Sequence, residues 1–115
     1  MRNFKIVFPI GYQVSDVFDD NLDINIVFEN GDIFFGTLFT LSNVEKIMNN
    51  ENEDHFWSTD MLIVRNLELS TIKKAINKIV YENYEEEIFS KIGTIQTIFP
   101  QNHSFHTIID MQRII

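Results

Sequence analysis

Between Leu22 and Glu29 the chain alternates: Leu22, Ile24, Ile26 and Phe28 are separated by Asp23, Asn25 and Val27, with Glu29 closing the run. A period of two is the mark of a half-buried strand. Asn30-Gly31 follows, and a second alternating run begins at Ile33. Asn-Gly suits a two-residue type I′ turn, which needs positive φ at both central positions. That turn predicts a hairpin in which Phe28 faces Ile33, Ile26 faces Phe35, Ile24 faces Thr37 and Leu22 faces Phe39. Four matched pairs on one face reinforce one another. The other face of the second strand, with Phe34, Gly36 and Leu38, is also largely apolar. It predicts a strand inside the sheet, with Gly36 admitting a close neighbour.

The same reading extends along the chain. Phe4–Phe8 alternates weakly and is expected to be a strand closed by Pro9 and Gly11, and SDVFDDN at 15–21 reads as a surface loop. Ser42-Asn43-Val44-Glu45 has the spacing of a capping box, predicting a helix near 42–49 with Val44, Ile47 and Met48 inward. Met61-Leu62-Ile63-Val64 is an unbroken apolar run, expected of a strand covered on both faces. Ile72, Ala75, Ile76, Ile79 and Val80 recur at helical spacing opposite Lys73, Lys74, Asn77 and Lys78, predicting a helix over 70–82. Asn83, the three glutamates after Tyr84, and Gly93 predict a further helix over 84–92. The tail admits a strand around Ile95–Phe99 and a final turn around Thr107–Ile114. The fold class expected is α+β: a mainly antiparallel sheet with a central hairpin, packed with two to three helices.

Composition narrows this to one domain over 1–115, with 44% apolar residues, eleven Phe, and too few Gly and Pro for a long linker. No apolar run reaches the roughly 20 residues of a membrane span. The start, MRNFKIVFPIGYQ, has too short an apolar part and no small-residue cleavage site for a signal peptide, so a cytoplasmic location is expected. The absence of Cys removes disulfides, thiolate metal sites and cysteine nucleophiles.

Charge changes the picture more. The net value is −8. Residues 14–60 hold eleven acids against Lys46 alone, for −10, while 1–13 carry +2 and 61–115 balance six bases with six acids. Direct nucleic-acid binding is disfavoured, because phosphate contacts need clustered Lys and Arg. An acidic face steers basic partners toward itself. Its plainest alternative role is solubility.

Within that segment, NNENEDHFWSTD at 49–60 sets Phe56 and the single tryptophan, Trp57, among four acids and no base. Trp57 reads as core, packed over the sheet edge before the 61–64 strand, or as a partner anchor of the kind that dominates interface hot spots, and the two can coexist if one indole face is buried and its edge stays in the acidic loop. Other chemistry is thin. His103, His106 and Asp110 could share a helix face and bind a divalent metal, but a surface tail with two histidines is the simpler reading. His55 beside Asp54 and Asp60 lacks a nucleophile, phosphate loop or metal signature to complete a catalytic site. Neither a cofactor nor enzymatic activity is expected, and the sequence sets no oligomeric state.

DINIVFENGDIFFGTLFTLSNVEKIM, followed by HFWSTDMLIVRNLELSTIKKAI, resembles a family of small bacterial immunity proteins encoded beside polymorphic or contact-dependent growth-inhibition toxins. The resemblance spans roughly 23–92 and rests on Asn30-Gly31, Phe39-Thr40-Leu41, Phe56-Trp57 and Asp60-Met61-Leu62-Ile63-Val64. It implies a cytosolic protein that binds and neutralises a cognate toxin domain, commonly a nuclease with a basic groove. The candidate contacts are Glu51, Glu53, Asp54, Trp57 and Asp60, with Asp19 and Asp20 as a second group. The alternatives are an acidic adaptor or regulatory subunit of another cytosolic complex, or a small metal-dependent enzyme.

Overall fold

The computed structural model describes residues 2–8, 13–99, 104–108 and 113–114. Strands β1 (Phe4–Phe8), β2 (Asn21–Phe28) and β3 (Asp32–Thr40) lead into helix α1 (Leu41–Glu51). Then come β4 (Met61–Val64), α2 (Leu69–Tyr81), α3 (Glu85–Ile88), β5 (Ser90–Thr94), the single turn α4 (Ile95–Ile98) and β6 (Arg113–Ile114). One sheet runs in the order β4-β3-β2-β1-β6, and β5 also pairs with β3. All pairs are antiparallel except β3 with β4. The fold is α+β, as the patterning predicts.

The hairpin forms around Asn30-Gly31, but its register differs by one residue from the expected one. Ile26 lies opposite Phe34, Ile24 opposite Gly36, and Leu22 opposite Leu38. The Gly31 N–H donates to the Phe28 carbonyl at 2.9 Å. Gly31 takes positive φ (99°) while Asn30 does not. This is a three-residue loop with glycine in the left-handed position, not a type I′ turn. The Asp23–Thr37 pair fits this register: the Thr37 hydroxyl donates to Asp23 Oδ1 at 2.7 Å directly across the strands.

The slip assigns the faces. Leu22, Ile24, Ile26 and Phe28 join Phe34 and Leu38 in a core closed by Ile72, Ile76, Ile79 and Val80 of α2. On the other side, Val7, Val27 and Ile33 are covered by Ile95, Phe99, Phe105 and Ile108. Because the first half of β3 pairs with β5 and the second half with β4, β3 lies inside the sheet as expected. Gly36 sits between those halves. A Cβ there would fall 2.3 Å from the Phe89 ring, so only glycine admits the ring this close to the strand.

Other boundaries depart from the expectations for identifiable reasons. Thr40, not Ser42, caps α1: its hydroxyl accepts from the Asn43 N–H at 3.2 Å. Strand thus passes into helix with no loop, and α1 runs on to Glu51. Its inner stripe of Val44, Ile47 and Met48 is only half-buried. The helix expected over 84–92 stops at Ile88 because tertiary partners claim its residues. Glu85 turns inward to Arg2 (2.6 Å), Phe89 covers Gly36, and Lys91 pairs with Asp32 (3.1 Å) as 90–94 joins the sheet. That hydrogen bond to Glu85 also raises the Arg2 guanidinium above its ordinary pKa. Gly93 (φ 156°) serves the β5 register shift and not a helix stop.

The strand expected near Ile95–Phe99 is instead the α4 turn, capped by Thr94 and Thr97. Part of the final turn expected at Thr107–Ile114 lies outside the described residues. Within it, Arg113 and Ile114 are β6, paired with Phe8 and Val7 of β1. Finally, Met61–Val64 is an edge strand and not one covered on both faces. Val64 is buried on the α2 side, while Ile63 remains 45% exposed.

Candidate partner-binding surface

The segment after α1 is built by a left-handed cap. Asn52 takes φ 54° and ψ 46°, and its N–H returns to the Asn49 and Met48 carbonyls, while the Glu53 N–H reaches the Met48 carbonyl at 2.9 Å. This closure satisfies the last carbonyls of the helix and turns the chain out of it. No base stands in the last turn. Glu51 and Glu53 therefore sit at the negative end of the helix dipole, where acids are disfavoured by about 0.3–1 kcal/mol. Helix stability gives no reason for them.

Phe56 seats the loop on the body of the protein. Its ring meets that of Phe39 edge-on, with 5.0 Å between centroids. Trp57 follows and is 72% exposed. The core reading of the tryptophan is thereby overturned: Phe56 is the aromatic that packs, and Trp57 presents its indole to solvent. Glu51, Glu53, Asp54 and His55 are exposed as well. The ion pair on this stretch is weak, with His55 Nδ1 3.9 Å from Glu53 at exposed positions.

Asp60 has a different position. It takes φ 56°, its carbonyl accepts from the Thr37 N–H at 2.9 Å, and its Oδ1 accepts from the Ser90 hydroxyl at 2.7 Å. It joins the start of β4 to β5 beside the middle of β3, so its carboxylate is already engaged. Asp19 and Asp20 are also tied down. Asp19 pairs with Lys46 at 3.4 Å, and Asp20 exchanges hydrogen bonds with Thr40, through its N–H and its carbonyl. These contacts dock the 15–21 loop onto the start of α1, together with a bond from Asn21 to Asn43 at 3.0 Å. Eleven residues of helix span about 16 Å. Asp20 is thus at one end of α1 and Glu51 at the other, while Phe56 ties the following loop to Phe39, one residue before the Thr40 cap. The structure exposes Glu51, Glu53, Asp54 and Trp57 and holds Asp19, Asp20 and Asp60 in structural contacts.

Sequence reasoning identified the loop but could not tell which aromatic turns inward. The signal was Phe39, whose side chain on β3 offers a ring to the residue that approaches it. Of the other candidates, His103 and Asp110 lie outside the described residues, and His106 is exposed with its ring edge-on to Phe105. Among the described residues no group of three or more His, Cys, Asp or Glu is placed to hold a metal ion. No helix among them is long and apolar enough to cross a membrane. No family model, curated protein or solved structure matches the chain.

Proposed function

We propose that this protein is a cytosolic immunity protein that neutralises a cognate toxin domain by forming a stoichiometric, non-catalytic complex through the loop that joins α1 to β4. The observation that carries the reading is Trp57: a large indole at 72% exposure, in a loop that follows Glu51 at the end of α1 and carries Glu53 and Asp54 with no Lys or Arg. An indole left mostly in water adds little to the fold. Covered by a partner, it becomes an anchor of the hot-spot type. The acids around it set the sign of the partner, a basic domain such as a nuclease with a nucleic-acid groove. Attraction at long range raises the association rate, and close pairs at the buried centre hold the complex.

The test pairs this protein with the toxin domain encoded beside its gene. The expected result is a one-to-one complex on mixing and protection of cells that express the toxin, both lost in Trp57→Ala. A gene neighbourhood with no toxin would replace this reading by that of an acidic adaptor using the same loop.

A further inference from the structure

We propose that the cleft between the outer edge of β4 and helix α2 is a second binding site, which takes an extended acidic segment of another protein as an added strand of the sheet. Strand β4 pairs with β3 on one side and, among the described residues, with no strand on the other. The Thr37 N–H donates to the Asp60 carbonyl. By the alternation of a parallel pair, Leu62 and Val64 then direct their backbone groups to β3, and Met61 and Ile63 direct theirs outward. An unpaired row of this kind is a template for another strand. Met-Leu-Ile-Val holds no Lys or Pro to blunt it.

The cleft beside that edge is basic. It encloses about 560 Å³, with Ile63 and Arg65 on the strand side and Lys74, Ala75 and Lys78 on the helix side, and no acid among the described residues lines it. Residues 74 and 78 are one helical turn apart, so both lysines stand on the same face of α2. Arg65, Lys74 and Lys78 are all exposed. Lys78 has a marginal contact with Glu82, 4.0 Å away, and neither Arg65 nor Lys74 forms an ion pair among the described residues. On a chain of net charge −8, three cations gathered at one cleft form a local site of opposite sign.

The two faces of the edge set the pattern of the occupant. Val64 belongs to the core under α2 and Leu62 packs against it. The Ile63 side chain therefore stands on the opposite face of the sheet, where it is 45% exposed. A strand laid along β4 alternates in the same way. Its residues on the α2 side enter the cleft beside the three cations, and those on the other side lie over Ile63. The match is a short run in which Asp or Glu alternates with apolar residues. Main-chain bonds to Met61 and Ile63 then give affinity, and the alternate side chains give specificity. The β4 strand of a second copy fits poorly, because Met-Leu-Ile-Val brings no carboxylate to the cleft. A nucleic-acid strand brings negative charge but neither the amide groups nor the apolar side that this edge requires.

The test needs no toxin, so its outcome is independent of the reading built on Trp57. The probe is a short fluorescein-labelled peptide in which Glu alternates with Val, capped at both ends. Anisotropy at low salt should show saturable one-to-one binding to the parent and equal binding to Trp57→Ala. Arg65→Glu/Lys74→Glu, at two exposed positions, should keep the parent's circular dichroism spectrum and raise the dissociation constant by about tenfold or more. Replacing Glu by Gln in the peptide should do the same, and so should N-methylating the peptide residues that face β4. Hydrogen exchange followed by NMR supplies a readout that charge alone would not move: the Ile63 amide, open in the free protein, should become protected when the peptide saturates. Four results would overturn the proposal. They are no saturable binding, binding untouched by the charge reversal or the N-methylation, an Ile63 amide that stays unprotected, and displacement of the peptide by self-association of the protein or by single-stranded RNA.

Discussion

The Phe56 and Phe39 rings meet edge-on at 5.0 Å between centroids, and the residue next to Phe56, Trp57, stands open to solvent. The pair divides the work of two adjacent aromatics, one holding the loop and one available to a partner. Phe56→Ala is therefore expected to lower the unfolding free energy by about 1–2 kcal/mol, from lost burial and the ring contact. Trp57→Ala should leave it within about 0.5 kcal/mol of the parent, as for other exposed positions. Urea denaturation of the two variants measures both. Equal losses would place the indole in the core after all.

Thr40 links three elements through its backbone and hydroxyl: the end of β3, the start of α1 and the 15–21 loop. Thr40→Ala should cost about 1–2 kcal/mol as a lost N-cap. Ser42→Ala, inside the first turn, should cost no more than about 0.5 kcal/mol. Thermal melts of the two variants distinguish this cap from one at Ser42.

Gly36→Ala tests the close approach of Phe89. The added methyl would meet the ring at 2.3 Å, and the ring must move from a packed position or the strand must bend. The expected loss is about 1–3 kcal/mol. A variant as stable as the parent would show that Phe89 has room to withdraw.

Arg2 holds down the start of α3. It donates to Glu85 at 2.6 Å, to the Val80 carbonyl and to Asn83, and lies 4.9 Å above the Phe28 ring. Glu85 is buried, so Arg2→Ala leaves a carboxylate without its counter-charge. Breaking a fully buried pair costs about 3–5 kcal/mol. Because Arg2 itself is partly exposed, a discounted loss of about 1–3 kcal/mol is expected. Denaturant titration at neutral pH reads it.

These residues also show where the sequence was legible. Helix α2 could be read directly, because Ile72, Ile76, Ile79 and Val80 keep one face over the whole element and nothing else competes for them. The hairpin could be located but not registered. Strand β3 is apolar on both faces at Ile33, Phe34 and Phe35, so either register buries a stripe. Asn-Gly suits a two-residue loop and a three-residue loop alike. The observed register puts Phe34 and Leu38 in the core under α2 and Gly36 beneath Phe89, contacts that exist only once the elements meet. Residues 84–93 misled for a related reason. Tyr84, Ile88 and Ile92 have helical spacing, yet Arg2, Gly36 and Asp32 are distant in sequence and outbid it together. At 49–60 the charge and the aromatics were visible, and which ring faces inward was not, because Phe39 settles that from another strand.

The most direct measurement of the central proposal is the association rate of this protein with the proposed partner, a basic toxin domain sought beside its gene, followed by stopped-flow across a range of salt concentrations. The parent should associate fast at low salt and slow steeply as salt rises. Glu51→Lys/Glu53→Lys/Asp54→Lys should associate slowly at low salt, with a flat salt dependence and an unchanged fold. An identical rate and salt slope for parent and triple variant would contradict the account and move the interface away from this loop.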